Sequence, residues 1–319
     1  MINRYAARRI PIRSAVPAAL FLCLLALASA RAETLGVPSE PSQSTELRWK
    51  FTEGAELVYR MTMYNEMELP QGMGTSVTDL ETTQRWEIIE IADNGDATIR
   101  LTTDRVRMSM QSPMANMTVD SAEETPPSGT PLDAITAMAG TSYTVVIDAT
   151  GTLKSLAGLE EMRETLRQAM QDPSIAEILD PMLTDDTLRS QWQQGIYAMP
   201  EEAVSIGTTW NRSFTLPVAM LGNMTTDSRY EVEAIDDDIA VIASMGTMSI
   251  AESGDRTSPM SMQFTRVDMI GSARFDIGRG LLLHSENTMT MEMSMALGGQ
   301  EVVMASIATS TLELVEEGR

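Results

Sequence analysis

Apolar side chains recur at every second residue over much of this chain, and this pattern constrains the fold more than any other feature of the sequence. In the first such run, Leu57, Tyr59, Met61 and Met63 alternate with a second set, which comprises Val58, Arg60, Thr62 and Tyr64. Alternate residues of a β-strand point to the same face, so the period predicts strands that each have one apolar face. Residues 93–96 contain an Asn-Gly step, which is typical of a β-hairpin turn.

Further turns are predicted at residues 148–151, 236–238, 278–280 and 298–299, from their Gly and Asp content. Within the segment 97–110 the apolar alternation changes phase between Leu101 and Val106. A change of phase inside one run predicts a β-bulge near residues 103–105, and a bulge bends the strand. Because no regular alternation of strands with helices is present, we expect the sheet to be antiparallel.

Residues 159–199 have a different period, since Leu159, Met162, Leu166 and Met170 recur at spacings of three and four. This spacing predicts a helical insert. We therefore expect an α+β fold, with a large curved antiparallel sheet of about ten to twelve strands that forms a half-barrel. Tryptophan and turn residues follow a similar order in residues 47–158 and 200–319, so both a duplication of one half and a chance recurrence stay open.

The N-terminus has the three-part organisation of an export signal. Basic residues precede the apolar run 15–28, and small residues in A-x-A spacing follow it. An apolar run of about 14 residues is shorter than the ~20 that span a bilayer, which disfavours an uncleaved anchor. We expect residues 1–32 to be a cleaved signal peptide and residues 33–46 to be a flexible tether. The mature protein would then lie in the periplasm or cell envelope without a transmembrane segment.

Composition narrows the possible partners and chemistry. The chain has 23 Lys and Arg against 45 Asp and Glu, a net charge of −22, so its own field repels nucleic-acid phosphates. The only cysteine, Cys23, lies in the predicted signal peptide, and His284 is the only histidine. A Cys–His zinc centre is therefore disfavoured, and a Ser-His-Asp triad lacks its usual G-x-S-x-G sequence. We expect a non-enzymatic protein without a metal or cofactor, with a carboxylate-based hydrolase as an alternative.

Methionine is the unusual component, with 26 residues, many of them in alternating sets. At period two, each set lies on one face of its strand. Three explanations stay open: a methionine-rich core beneath the helical insert, an apolar groove for acyl chains or lipidated peptides, and a thioether site for Cu(I). The candidate ligand-binding residues are Met108, Met110, Met260, Met262, Met289, Met291, Met293, Met295, Trp192 and Tyr197.

Residues 200–210 carry the spaced motif P-x3-V-x2-G-x2-W, which comprises Pro200, Val204, Gly207 and Trp210. With the opening segment 47–59 and the strand sequence 88–99, this motif resembles a family of exported bacterial proteins of unknown function from planctomycete-like genomes. The strand pattern also looks like the half-barrel of periplasmic lipoprotein carriers. That second resemblance implies a concave apolar face, closed by helices, that binds acyl chains.

Two functions from different classes follow from these observations. The first is an exported protein that binds a hydrophobic ligand or a lipoprotein on its methionine-lined sheet face. The alternative is an envelope structural or interaction protein whose methionine face is completely buried. The sequence leaves the oligomeric state open.

Overall fold

The fold is dominated by long β-strands, as the alternating pattern predicts. The computed structural model describes residues 44–69, 72–113, 116–123, 135–169, 184–185, 189, 192, 199–218, 222–250, 262–297 and 300–318. The strands are β1 Glu56–Glu68, β2 Thr75–Ile91, β3 Ala97–Gln111, β4 Asn116–Asp120, β5 Ser142–Ile147, β6 Leu153–Ala157, β7 Thr209–Val218, β8 Gly222–Asp236, β9 Ile239–Ile250, β10 Met262–Asp276, β11 Leu281–Leu297 and β12 Gln300–Gly318, and the helix α1 is Leu159–Ala169.

These strands form one 12-stranded sheet in the order β6-β5-β3-β2-β1-β12-β11-β10-β9-β8-β7, with β4 paired to β3 outside this path. The pairings between the described strands are antiparallel, which confirms the predicted sheet type. The N-terminal strands extend outward from β1, and the C-terminal strands return inward to β12. The pairing of β1 with β12 joins the two groups, while β6 and β7 are the edges of an unclosed sheet.

Two of the predicted turns and the predicted β-bulge are also confirmed. Residues 93–96 connect β2 to β3, and residues 236–238 connect β8 to β9 with Asp237 and Asp238 at φ values of 44° and 66°. The predicted bulge in β3 is present, since Thr83 pairs with Arg105 whereas the next residue, Gln84, pairs with Thr103. The predicted turn at residues 298–299 lies outside the described residues.

Helical structure is a smaller part of the described chain than the α+β prediction implies. The helix α1 begins at Leu159 and buries Leu159, Met162 and Leu166 on one side, in agreement with their spacing. Glu160 and Glu161 lie in its first turn, where their negative charges interact favourably with the positive end of the helix dipole and stabilise the helix. Most of the predicted insert beyond residue 169 lies outside the described residues, so the described fold is mostly an antiparallel sheet with one short helix.

An aromatic core lies against one end of the sheet, and the segment before β1 passes through it. The Trp49 ring lies 6.3 Å from Trp86 and 5.6 Å from Phe275, centroid to centroid, and is almost completely buried. The backbone N–H of Trp49 donates to the carbonyl oxygen of Ala149 in the β5–β6 turn at 2.8 Å. The backbone N–H of Lys50 donates to the carbonyl oxygen of Gly280 in the β10–β11 turn at 3.0 Å. In a flat sheet these turns would lie roughly 30 Å apart, at about 4.8 Å per strand. Two adjacent residues contact both turns, so the sheet bends strongly at this end.

The ordered fold begins earlier than the predicted tether allows. Thr45 and Val204 exchange two backbone hydrogen bonds at 2.7 and 2.8 Å. The last residues of the segment 33–46 are therefore fixed against the P-x3-V-x2-G-x2-W motif by backbone pairing, which composition does not reveal. Among the described residues, no helix has both the length and the apolarity that a membrane crossing requires.

Candidate functional site

The apolar face of the sheet continues beyond the aromatic core as a surface rich in methionine. Directly paired residues of antiparallel strands lie on the same face, so the register identifies its members. Met63 is opposite Leu80 of β2, which is opposite Met108 of β3. The same rule, applied across the sheet, defines what we call the methionine face: Met61, Met63, Met67, Met108, Met110, Met117, Met224, Met248, Met269, Met289, Met291, Met293 and Met304.

The C-terminal strands contribute most of this face. Met269 of β10 is opposite Met289 of β11, and Met293 of β11 is opposite Met304 of β12. Strand β12 also pairs with β1, which places Met63 on the same face through Ser310. Methionines from opposite ends of the sequence therefore meet on one surface.

Other predicted site residues are placed differently. The register pairs Met262 with Met295, but their side chains, like Met260 and Tyr197, lie outside the described part of the chain. Trp192 is only 8% exposed, and its ring lies 5.5 Å from Trp86, within the aromatic core. A large ring gains most by burial against other rings, which accounts for a position away from the methionine face.

Burial varies across the methionine face. Met293 and Met304, which are opposite each other, are each 8% exposed. Met61 and Met63 of β1 are 42% and 37% exposed. The face thus has a buried part on β11 and β12 and an accessible part on β1.

The acidic residues that flank the methionines along these strands point to the other side of the sheet. On β1 and β2, the alternation places Glu66, Asp79 and Glu81 opposite in phase to Met63 and Leu80. On β10 and β11 the same holds for Asp268 and Glu292. In a chain with 45 acidic residues, segregation of this kind leaves the described surface around the methionines free of carboxylates. The register places a cation on it, Arg212 of β7, which donates to the Met199 carbonyl oxygen at 3.1 Å.

The polar groups interspersed on this face are mostly hydroxyls and amides. Asn65 donates from Nδ2 to the Ser306 hydroxyl at 3.2 Å. Thr226 of β8 is 1% exposed, and its hydroxyl oxygen has no hydrogen-bond partner among the described residues. The arrangement offers a broad apolar contact surface with a small number of hydrogen-bonding groups.

A carboxylate with a strongly lowered pKa belongs to an ion pair beside the face. Asp120 follows Val119, which is opposite Met108. The Arg105 guanidinium donates hydrogen bonds to the Asp120 carboxylate, one of them from Nε to Oδ1 at 3.0 Å, and the backbone N–H of Ala122 donates to the same oxygen. These hydrogen bonds lower the pKa of Asp120 to about 2. Asp120 is therefore ionised near neutral pH and occupied by Arg105, so it anchors β4 to β3.

A cavity on the other side of the sheet was not predicted from the sequence. It has a volume of about 1000 Å³ and is lined mainly by the opposite face of β7 to β11. Its apolar part is formed by Ile270 and Met245, which pair with each other and are 64% and 59% exposed. Arg229 and Asp268 are among its charged lining residues. The signal in the sequence was that Ile270 of β10 has the opposite phase to Val267, Met269 and Ala273 of the same strand.

Comparison with known proteins gives a family without an assigned activity. No curated protein matches the chain. Among solved structures, the chain is similar to DynF from the dynemicin biosynthesis pathway of Micromonospora chersina, with 7% identity over 89% of this chain and 92% of that chain and a TM-score of 0.22. A score this low does not establish a shared fold. The model of a family of unknown function, DUF6263, matches residues 94–282, from the β2–β3 turn to the start of β11. This match spans more than half of the sequence, and the protein belongs to the DUF6263 family.

Proposed function

We propose that this protein is an exported, non-enzymatic binder of apolar ligands, with an acyl chain as the ligand class and the methionine face as the binding surface. The observation that carries the proposal is that the register collects methionines from separate strands on one face of a very acidic chain, with no carboxylate beside them among the described residues. Export follows from the signal sequence predicted at residues 1–32. In this proposal the sheet is a curved half-barrel with the methionine face on its inside.

Accessible methionine favours a binding surface over a closed core. A side chain that serves only in packing gains free energy from complete burial, at about 25 cal/mol per Å² of apolar area. Met61 and Met63 leave much of that area in water, whereas Leu57 and Tyr59 on the same strand face are buried. An apolar guest on β1 would cover the exposed thioethers.

The choice of methionine suits ligands of variable shape. Its unbranched side chain has three rotatable bonds and a polarizable sulfur, so neighbouring methionines can adjust to different apolar surfaces. Leu80 lies between Met63 and Met108 in the same row and offers a less flexible contact.

A binding titration with a fluorescent fatty acid tests this proposal. We expect the wild-type protein to bind the probe, and the double variant Met61→Gln/Met63→Gln to bind about tenfold more weakly, because each amide adds a polar group that the ligand must cover. The matched control is Met245→Gln, since Met245 is 59% exposed but lies on the opposite face. Its affinity should equal that of the wild type. Urea unfolding of each variant verifies that the fold is retained.

Two results would argue against the proposal. One is a wild-type protein that binds no probe and shows only the mass of the bare chain in native mass spectrometry with added palmitate. This result would favour the envelope structural or interaction protein. The other is an equal loss of affinity in the Met245→Gln control, which would move the binding surface to the opposite face.

A further inference from the structure

Two exposed thioethers are side by side on the methionine face. Met61 and Met63 are two residues apart on β1 and therefore point to the same side of the sheet. Their exposed fractions of 42% and 37% contrast with 8% for Met293 and Met304 on the same face. Oxidation of methionine depends on access of the oxidant to sulfur, so these two exposed residues are the methionines of the face that an oxidant reaches most easily.

We infer that Met61 and Met63 are reversible oxidation sites at which hydrogen peroxide converts the methionine face from an apolar to a polar surface and releases its ligand. This inference rests on the proposed function and adds its regulation. The thioether sulfur supplies an electron pair to one peroxide oxygen, an S–O bond forms, and the O–O bond breaks. The sulfur is oxidised to the sulfoxide, peroxide is reduced, and the leaving oxygen departs as water after proton transfer.

The position of the two sulfurs makes their oxidation consequential for binding. Met61 is opposite Thr82 and Leu312, and Met63 is opposite Leu80 and Ser310. A sulfoxide oxygen at either residue is a strong hydrogen-bond acceptor that water can solvate in the free protein. An acyl chain lying across β1 would have to remove this water without replacing its hydrogen bonds, which is unfavourable.

Methionines that are more exposed and lie elsewhere provide a contrast within the same molecule. Met73 is 51% exposed in the segment between β1 and β2, and Met245 is 59% exposed on the opposite face. Peroxide reaches these sulfurs as well. Since neither belongs to the methionine face, their oxidation leaves its polarity unchanged.

The experiment combines site mapping with a binding measurement on the full mature chain. The protein is treated with increasing hydrogen peroxide, quenched and digested with trypsin, and tandem mass spectrometry locates the added oxygen. Tandem data are needed because cleavage after Arg60 and Arg85 leaves both Met61 and Met63 in one peptide. We expect these residues to be oxidised before Met293 and Met304, with a parallel loss of fluorescent fatty-acid affinity of about tenfold.

Two variants connect the loss of affinity to these sulfurs. Met61→Leu/Met63→Leu has no oxidisable sulfur at either position, so its affinity after peroxide should be within about twofold of its own affinity before treatment. Met245→Leu should start with wild-type affinity and lose it on oxidation as the wild type does. Treatment of the oxidised wild type with methionine sulfoxide reductases should restore binding, because sulfoxide formation is reversible.

The outcomes separate this inference from the proposed function. Binding that persists after Met61 and Met63 are converted overturns the switch while leaving the proposed function intact. An equal peroxide-induced loss in the Met61→Leu/Met63→Leu variant also overturns it, since other residues would then be responsible. An untreated wild-type protein that does not bind the probe overturns the proposed function, and the ligand-release switch with it.

Discussion

At the scale of single residues, buried tyrosines connect the aromatic core to distant strands. Tyr59 of β1 donates its hydroxyl hydrogen to the Leu282 carbonyl oxygen of β11 at 3.1 Å, and its side chain is 1% exposed. Burial raises the pKa of the Tyr59 phenol, and burial raises the pKa of Tyr143 on β5 to about 12. Both phenols are neutral in the folded protein at pH values where an exposed tyrosine ionises. The free energy of unfolding therefore falls as the pH rises into the alkaline range.

The change Tyr143→Phe should make the alkaline loss of stability smaller. The unfolded phenol ionises near pH 10 and the folded one near pH 12, so stability is fully present below pH 10 and falls as pH rises to 12. Tyr143 alone should account for a loss of about 2 kcal/mol over this interval. Urea unfolding of wild type and variant at pH 9 and at pH 11.5 measures the difference. Parallel losses in the two proteins would contradict the assignment to Tyr143.

At the scale of elements, the turn between β10 and β11 is held tightly against the segment that precedes β1. Gly280 has a φ of +67°, and a Cβ built on it would lie 2.5 Å from the Lys50 backbone nitrogen. The Gly280 carbonyl accepts the hydrogen bond from the Lys50 N–H. A side chain at this position would therefore require both a strained backbone conformation and separation of the two segments.

Gly280→Ala should lower the free energy of unfolding by more than about 2 kcal/mol, from backbone strain and overpacking together. Gly95→Ala is the matched control, because Gly95 also has a positive φ of +85° but open space around its Cβ position. It should cost only about 1 kcal/mol, from backbone conformation alone. Thermal and urea unfolding measure both variants. Equal losses would show that contact with Lys50 is unimportant.

At the scale of the whole sheet, the two ends of the strands differ in packing. The end near Trp49 is bound to several turns by backbone hydrogen bonds and contains the most deeply buried residues. The other end carries the methionine face, with Met61 and Met63 partly in water. Fewer buried contacts at one end of a strand lower the free energy needed to open it locally.

Hydrogen exchange should therefore show a gradient along β1. We expect the amides of Leu57 and Tyr59 to exchange much more slowly than those of Met63 and Met67, because the former lie in the aromatic core. Hydrogen-exchange mass spectrometry with overlapping short peptides resolves the two ends of the strand. A saturating fatty acid should slow exchange at the methionine end preferentially. Uniform protection along β1, unchanged by ligand, would contradict this description.

Local sequence signals were sufficient for much of the secondary structure. The strand period, the hairpin at residues 93–96 and the bulge near Asp104 depend on nearest neighbours and were predictable for this reason. The alternation of Met61 with Met63, or of Met289 with Met291, likewise determines their phase within each strand. The sequence also predicted that methionine would be the main component of the candidate site.

Only the tertiary structure decided which of these methionines share a surface. The phase within one strand is local, but the face that two strands share depends on their register, and β1 meets β12 and the β11 carbonyl of Leu282 across more than 200 residues of sequence. The same long-range contacts place Trp192 in the core and expose Met245 on the opposite face. Periodicity carries no information about such pairings, because they are selected by the total burial and hydrogen bonding of the whole sheet.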